Sequence, residues 1–228
     1  MPPTIDAIEI RRYRRPLDPP FHASWDPEPR RGHVTTVVRV RAGELEGVGA
    51  GDAMLGFAGH EHLFLGHSPL AIERHVTVLD NLQFHYGRMW PLEIALWDLM
   101  GQIAGQPLWR LLGGNDGRVP LYASTGQRLS REERVAAVLR LQDEGFAAVK
   151  LRFFADDPRD DVATARAVRR AAPTLTLLCD ANQAWRMPWD TRPPWDLKLA
   201  RRVADELSLI HISEPTRRTP ISYAVFCL

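Results

Sequence analysis

The sequence predicts a protein of mixed α and β structure in two parts, an α+β unit followed by strand–helix units that share a parallel sheet. Up to about residue 115, strand-like alternation comes first and helix-like periodicity follows, which is typical of an α+β unit. After that point, short apolar strands alternate with capped helices. Repeated βα units of this length indicate either a doubly wound sheet or a (β/α) barrel.

The composition is that of an ordinary globular chain. Its 228 residues are 45% hydrophobic and 25% charged with a net charge of +1, and no basic run is interleaved with aromatic residues, so a nucleic-acid surface is not indicated. No apolar stretch approaches about 18 residues and the N-terminus lacks a signal-peptide core, so we expect no membrane span and a cytoplasmic location. The two cysteines, Cys179 and Cys227, are too few for a disulfide framework or a cysteine metal site.

The first part begins with two strand patterns and two loops. Apolar residues alternate in residues 4–15 and 33–41, which predicts antiparallel strands. Between them, Pro16–Gly32 holds five prolines and two aromatic residues, so we expect a loop that lacks regular structure and binds a ligand. Gly47–Gly66 contains six glycines and predicts a second, mobile loop.

Histidines cluster in the second loop. His60, Glu61 and His62, with His67 nearby, raise the alternative of a zinc site. The i, i+2 spacing of two histidines suits a metal only on a strand, and this glycine-rich segment has no clear strand pattern. Surface or substrate-contacting histidines are therefore the preferred interpretation.

Helices complete the first part. Ser68 can cap a helix whose first residue is Pro69. A second helix is predicted over Pro91–Ala104, because its apolar residues recur at helical spacing and a glycine follows. A short helical turn is predicted over Pro107–Leu112.

After residue 115 the elements alternate between strand and helix. Each strand is a short apolar run, and each helix begins at a capping residue. In chain order the predictions are strand Val119–Ala123, a helix opened by the capping box of Ser130 and Glu133, strand Ala148–Phe154, a helix opened by Asp157 and Pro158, and strand Leu175–Asn182.

Polar side chains share a face near the ends of the last two strands. Strand alternation places Lys150 and Arg152 on one face, and Asp180 and Asn182 likewise on one face. Two neighbouring parallel strands would therefore bring a cation pair and an acid–amide pair into one space. At the C-terminal ends of barrel strands such groups mark a catalytic site; the alternative is that they are solvated strand ends.

A helix signature in the first part resembles that of a known family. Residues 92–102 read Leu-Glu-Ile-Ala-Leu-Trp-Asp-Leu-Met-Gly-Gln, followed by Pro107-Leu108 and Leu111-Leu112-Gly113. This resembles the mandelate racemase and muconate lactonizing enzymes of the enolase superfamily, and the order of the Lys-x-Arg and Asp-Ala-Asn strands agrees. Over about residues 4–206, the resemblance implies an α+β capping domain (1–115) and the first three or so βα units of an incomplete (β/α)₇β TIM-type barrel (116–207).

The resemblance also implies a chemistry. Members of this family abstract the proton next to a carboxylate and hold the resulting enolate on Mg²⁺. Asp180 matches the first of three metal carboxylates, and Asn182 matches a position that faces the same cavity. Lys150 matches the first lysine of the family's Lys-x-Lys pair, next to the bound carboxylate.

The two loops match the region where the family's capping domain closes over the substrate. The resemblance therefore implies that His22, Trp25 and His60 contact the substrate, a small hydroxy or sugar acid.

Arg152 departs from the family pattern, which has a lysine base at this position. An arginine stays protonated at any ordinary pH, so it is a poor base but a good clamp for a carboxylate or hydroxyl group. Dehydration of a hydroxy or sugar acid needs a base on one side only and is favoured over racemisation or epimerisation. Whether the base is Lys150 or a residue of the opposite wall stays open.

The chain is expected to be a fragment, because a complete barrel takes about 250 residues. Five strands, two metal carboxylates and the far-wall acid/base residues are expected to be missing. Residues 208–228 resemble translated sequencing-adapter read-through and are expected to be non-native. Glu214, in a sequence that imitates the family's Glu-Glu-Pro, is therefore not expected to bind metal.

Two classes of function follow from these expectations. In the first, the chain is the N-terminal portion of a Mg²⁺-dependent enzyme that forms homo-oligomers when full length. In the second, it is a truncated, non-catalytic binding or interaction fragment. In either case three parallel strands leave an open sheet edge, so the chain alone is expected to be inactive and poorly soluble.

Overall fold

The computed structural model describes residues 3–52, 54–182 and 193–207 and the backbone of Val225–Cys227. The chain divides into two units. The first consists of residues 1–17 and 32–119, and the second of residues 18–31 and 120–228. No helix within the described ranges is both long and apolar enough to span a lipid bilayer.

The first unit is built on a three-stranded sheet and helices. The strands are β1 (Ala7–Phe21), β2 (Arg30–Ala42) and β3 (Leu45–Gly51), in the order β1-β2-β3 with β2 and β3 antiparallel. Residues 18–21 of β1 and 30–31 of β2 are counted in the second unit. After a single 3₁₀ turn at Glu61–Leu63, the helices are α1 (Ile72–Tyr86), α2 (Trp90–Ile103) and α3 (Leu108–Leu111).

Helix α2 supplies the centre of this unit's core. Leu92, Ala95, Leu96 and Leu99 are fully buried with strand residues such as Val38. The helix agrees with the predicted extent to within one residue at each end, and Gly105 follows it with a φ of +60°, a conformation that favours glycine.

Helix α1 begins later than predicted. Ala71 is its N-cap, and the preceding residues form a turn in which Ser68 Oγ accepts a hydrogen bond from the backbone N–H of Leu70 at 3.3 Å. Ser68 therefore stabilises the turn before the helix and does not cap the helix, because its hydroxyl accepts the N–H of Leu70, which precedes the N-cap.

Both predicted loops contain strand at their ends, so those predictions were wrong in part. In Pro16–Gly32, β1 continues to Phe21 and β2 begins at Arg30. Strand β1 lies at the edge of the sheet, where prolines are tolerated better than in a central strand.

The glycines of β3 belong to a strand because helix α2 lies against it. A Cβ atom on Gly49 would stand 2.0 Å from the carbonyl oxygen of Pro91, and one on Gly47 would stand 2.1 Å from that of Ala95. Close backbone approach, rather than loop flexibility, therefore explains these glycines.

The second unit alternates strands and helices, as predicted. Strands β4, β5 and β6 are parallel neighbours, and β7 pairs with β6 in the antiparallel direction. The elements are β4 (Ala123–Thr125), α4 (Arg131–Asp143), β5 (Ala148–Arg152), α5 (Pro158–Ala171), β6 (Thr176–Asp180), α6 (Leu197–Glu206) and β7 (Val225–Cys227).

The predicted caps of the second unit are confirmed. Ser130 and Glu133 form a reciprocal capping box at the start of α4, and the side chain of Asp157 accepts the N–H of Arg159 at the start of α5. The prediction for β4 was wrong in position, because the strand begins at Ala123, where the predicted strand Val119–Ala123 ends, and Val119 is 75% exposed.

One face of the parallel sheet forms the core with the helices. Val149, Leu151 and Phe153 of β5 and the turn after it are at most 4% exposed, and the residues Leu177, Cys179 and Ala181 on and after β6 are at most 2% exposed. They pack with apolar side chains of α4, α5 and α6. The predicted alternation is confirmed, and it directs Lys150, Arg152, Asp180 and Asn182 to the opposite face.

In the C-terminal segment, residues 208–228, the structure describes only Val225–Cys227. Glu214 and most of residues 208–228 lie outside the described residues, so their non-native origin and the absence of a metal-binding role for Glu214 stay predictions. Within this segment, β7 runs antiparallel to β6 and so does not continue the parallel βα repeat.

A substitution in β3 tests the close packing against α2. We expect Gly49→Ala to lower the free energy of unfolding by about 3 kcal/mol, because its Cβ would clash with backbone atoms that cannot move independently. Urea denaturation followed by circular dichroism measures the loss. Ala50→Ser, at an exposed position of the same strand, is the matched control; equal midpoints for the two variants would contradict the packing argument.

Candidate functional site

Two cations converge on one carboxylate between β5 and β6. The parallel register pairs Arg152 with Asp180, so strand ends that are 28 residues apart in sequence become neighbours. Lys150 Nζ lies 3.3 Å and Arg152 Nη1 3.7 Å from Asp180 Oδ2. The three side chains carry one positive charge in excess, which suits an anionic ligand.

This ion cluster is largely withdrawn from solvent. The side chains of Lys150 and Asp180 are 11% and 6% exposed, and that of Arg152 is 24% exposed. Charges are costly to bury, and they attract a ligand more strongly in such a setting than at an open surface. The solvated strand ends considered as an alternative do not fit this burial.

Asp180 has an oxygen without a partner. Within the described residues, its Oδ1 atom is buried and accepts no hydrogen bond. Leaving a carboxylate oxygen unsatisfied in this way costs free energy. Hard divalent cations such as Mg²⁺ prefer carboxylate oxygens as ligands. The residues present therefore fit a metal ion at this oxygen.

The described residues bring no further set of metal ligands to Asp180. The described ranges contain no group of three or more His, Cys, Asp or Glu side chains placed to hold a metal. Asp180 would thus contribute one ligand, and the histidines of residues 60–67 do not assemble a site among the described residues.

Trp25 stacks on the guanidinium of Arg152. Arg152 Cζ lies 4.5 Å from the centre of the Trp25 ring, a distance typical of a cation–π contact. A Cβ on Gly126 would be 2.9 Å from the indole, so only glycine leaves room for Trp25. Arg152 Nε also lies within 3.5 Å of Ser124 Oγ.

The chain around Trp25 is fixed by backbone contacts within the second unit. The N–H of Ser24 donates to the carbonyl of Gly126 at 2.9 Å, and the N–H of Arg128 donates to the carbonyl of His22 at 2.8 Å. Asn182 Nδ2 donates to Ser24 Oγ at 3.2 Å, between two buried side chains. The segment of residues 22–25 therefore packs on the same strand ends as the ion cluster.

The predicted site residues are thus only partly brought together. Lys150, Arg152, Asp180, Asn182 and Trp25 form one connected set of contacts. His22 adjoins them through its backbone carbonyl, and a role for its half-buried side chain stays a prediction.

His60 belongs to the first unit. Its Nδ1 lies 3.1 Å from the carbonyl oxygen of Phe57, and its ring centre is 4.7 Å from that of Tyr86. These contacts account for its orientation within that unit, and its contact with a substrate stays a prediction.

Sequence reasoning missed three residues around the ion cluster. Ser124 faces Lys150 across β4 and β5 in the register, and strand alternation could have found it. Lys150 Nζ lies 5.3 Å from the ring centre of Tyr122, and Ser24 binds Asn182. No sequence signal points to the last two, because their contacts depend on the tertiary fold.

Asp161 anchors the turn that follows β5. Its Oδ2 accepts the backbone N–H groups of Phe154 at 3.1 Å and Ala155 at 2.9 Å, just after the strand that carries Lys150 and Arg152. Burial raises the pKa of this carboxyl from 3.8 to about 6, against the opposing effect of the two N–H groups.

Comparison with known protein families finds one matching domain. A family model described as Enolase C-terminal domain-like matches residues 133–225. The chain is also similar to N-succinylamino acid racemase from Thermus thermophilus, with 36% identity over 124 residues that cover 54% of this chain and 31% of the racemase.

A dehydratase and a solved structure are further similar proteins. L-talarate/galactarate dehydratase from Salmonella typhimurium is 30% identical over 128 residues, which cover 55% of this chain and 30% of the dehydratase. The crystal structure of a racemase from Streptomyces coelicolor A3(2) with bound magnesium has a TM-score of 0.74 and 26% identity, covering 90% of this chain and 59% of that one. The chain thus spans less than two thirds of the length of the proteins it matches.

The raised pKa of Asp161 predicts a pH dependence of stability. Because the folded pKa of about 6 lies above the ordinary 3.8, the folded state holds this proton more tightly, and stability falls as pH rises between these values. In Asp161→Asn an amide oxygen in the place of Oδ2 can still accept both N–H groups. We therefore expect the wild type to lose about 1 kcal/mol more than the variant between about pH 5 and about pH 7.5.

Urea denaturation at the two pH values measures this difference. Asp143→Asn changes an exposed carboxylate at the end of α4 and should show the wild-type pH dependence. Arg131, Arg134 and Asp160 lie around the same cavity as Asp161 and are unchanged in Asp161→Asn. Identical pH profiles for wild type and Asp161→Asn would contradict the assignment.

Proposed function

We propose that this chain, which belongs to the mandelate racemase and muconate lactonizing enzyme family of the enolase superfamily, is part of a Mg²⁺-dependent enzyme that removes the α-proton of a carboxylate substrate. The observation that carries the proposal is the buried Oδ1 of Asp180, which has no hydrogen-bond partner among the described residues and lies beside two cations. The similar proteins support it, because their names are those of racemases and a dehydratase.

Asp180 would hold the metal through Oδ1. When bound, Mg²⁺ stabilises negative charge on the oxygen atoms of a substrate carboxylate. The further carboxylate ligands would come from residues outside the described ranges or from strands that the matched proteins have and this chain does not cover.

Arg152 would clamp the substrate. Its guanidinium is always protonated, so it cannot take a proton, but its planar N–H groups match the two oxygens of a carboxylate. Trp25 covers one face of the guanidinium and leaves its edge to bind the substrate. Lys150, whose Nζ is held 3.3 Å from Asp180, would place a second positive charge next to the same carboxylate.

This arrangement favours dehydration over racemisation. Racemisation needs proton-transferring groups on both faces of the α-carbon, and the arginine at position 152 cannot serve as one of them. Dehydration removes the α-proton on one side, and an acid assists the loss of hydroxide from the β-carbon, giving a 2-keto acid through its enol. Racemisation is the second candidate, because the racemase from Thermus thermophilus shares 36% identity with the chain.

Metal binding tests the role of Asp180. Isothermal titration of the 228-residue chain with Mg²⁺ should detect weak binding, and Asp180→Asn should lower the affinity by about tenfold or more, since even indirect metal contacts are worth that much. Asp196→Asn removes a carboxylate that caps α6 and is exposed, and it should leave the affinity unchanged. Equal Mg²⁺ affinities for Asp180→Asn and wild type would refute the assignment.

The reaction itself is tested in D₂O with Mg²⁺ and a panel of hydroxy and sugar acids, followed by proton NMR. We expect the 228-residue chain to show no turnover, since its described residues supply one metal carboxylate at the cluster. Any longer product of the same gene should form a 2-keto acid, and Asp180→Asn should abolish this.

The outcomes separate the alternatives. Exchange of the α-proton for deuterium with retention of the hydroxyl group would favour racemisation over dehydration. Turnover by a monomer of the 228-residue chain would contradict its expected inactivity.

A further inference from the structure

A cavity lies on the helix-covered side of the sheet, and Arg152 of the ion cluster is among the residues that line it. It has a volume of about 190 Å³ and lies between the start of α4, the turn after β5 and the start of α5. Leu151 and Phe153, which face the helices, line it, whereas Lys150 and Asp180 occupy the opposite face of the sheet. We refer to it as the Arg134 cavity, because that residue supplies its central charge.

Arg134 is a buried cation that has no counter-ion among the described residues. Its side chain lines the cavity and the residue is 5% exposed. One nitrogen, Nη2, donates to the carbonyl oxygen of Gln127. Among the described residues, no carboxylate forms an ion pair with this guanidinium, whose remaining N–H groups have no hydrogen-bond partner there.

The carboxylates nearest to the cavity are already engaged. Asp160 is paired with Arg131 at 4.0 Å, and Asp161 Oδ2 accepts the N–H groups of Phe154 and Ala155. Neither therefore compensates Arg134. A guanidinium buried in this way loses its hydration and costs free energy unless an anion approaches it, and burial lowers the pKa of Arg134 accordingly.

We propose that the Arg134 cavity binds a small oxyanion or carboxylate through the guanidinium of Arg134. A guanidinium presents parallel N–H groups that match two oxygens of such an anion, and these charge-assisted hydrogen bonds are stronger than neutral ones. The volume suits an ion of a few heavy atoms, and the walls of Leu129 and Phe154 limit its size. The proposed anion-binding group, Arg134, does not belong to the ion cluster, although Arg152 of that cluster also lines the cavity.

Titration of the 228-residue chain with sodium sulfate and, separately, with sodium acetate tests the proposal, with sodium chloride at equal ionic strength as the reference. The measured signal is the NMR shift of the Arg134 Nε–H group. We expect saturable binding of at least one of the two anions to the wild type. Arg140→Gln removes an exposed arginine from the same helix and should bind like the wild type.

Two variants attack the site in different ways. Arg134→Met removes the charge, and Thr164→Leu keeps the arginine but fills part of the cavity that Thr164 lines. The rise in Tm with anion concentration, relative to chloride, gives an apparent anion affinity. We expect this affinity to fall at least about tenfold in either variant that folds. Thr164→Leu, which leaves Arg134 in place, answers the question if Arg134→Met does not fold.

Two results would overturn the proposal. One is the absence of saturable binding of both anions to the wild type. The other is an unchanged affinity in Thr164→Leu or in folded Arg134→Met.

Discussion

The convergence of Lys150 and Arg152 on Asp180 is the interaction from which the rest of the candidate site follows. It exists because β5 and β6 are parallel and their register places Arg152 beside Asp180. A shift of one residue in either strand would turn these side chains into the apolar core and bring core residues out. The burial of Val149, Leu151 and Cys179 on the other face therefore specifies the register, and with it the distances between the charges.

The segment of residues 22–25 completes the surroundings of this cluster. Trp25 covers the guanidinium of Arg152, and Ser24 Oγ accepts a hydrogen bond from the amide of Asn182. Both contacts reduce the number of orientations open to Arg152 and Asn182. Because its orientation is already restricted, the Arg152 guanidinium binds a carboxylate at a lower entropic cost. The glycine at position 126 makes this possible, because any side chain there would occupy the space of the indole.

Strand β5 thus supports two different charge environments on its two faces. On one face, cations and a carboxylate compensate each other and leave one carboxylate oxygen for a metal. On the other, Asp161 holds the turn after the strand through backbone N–H groups, while Arg134 is buried with no counter-ion in the part of the chain that the structure describes. The same low-polarity surroundings that raise the pKa of Asp161 make an anion a favourable neighbour for Arg134.

The sequence by itself determined helices α4 and α5, strands β5 and β6, and the parity of the side chains on these strands. The capping box of Ser130, the cap at Asp157 and the alternation around Lys150 and Asp180 are local, and local hydrogen bonds and strand geometry decide them. Only the tertiary structure decided that Trp25 stacks on Arg152, that Ser24 binds Asn182 and that β3 is a strand despite its glycines. Those features arise from close approach between segments far apart in the chain, as between Gly49 and the carbonyl of Pro91, and no local pattern encodes such distances.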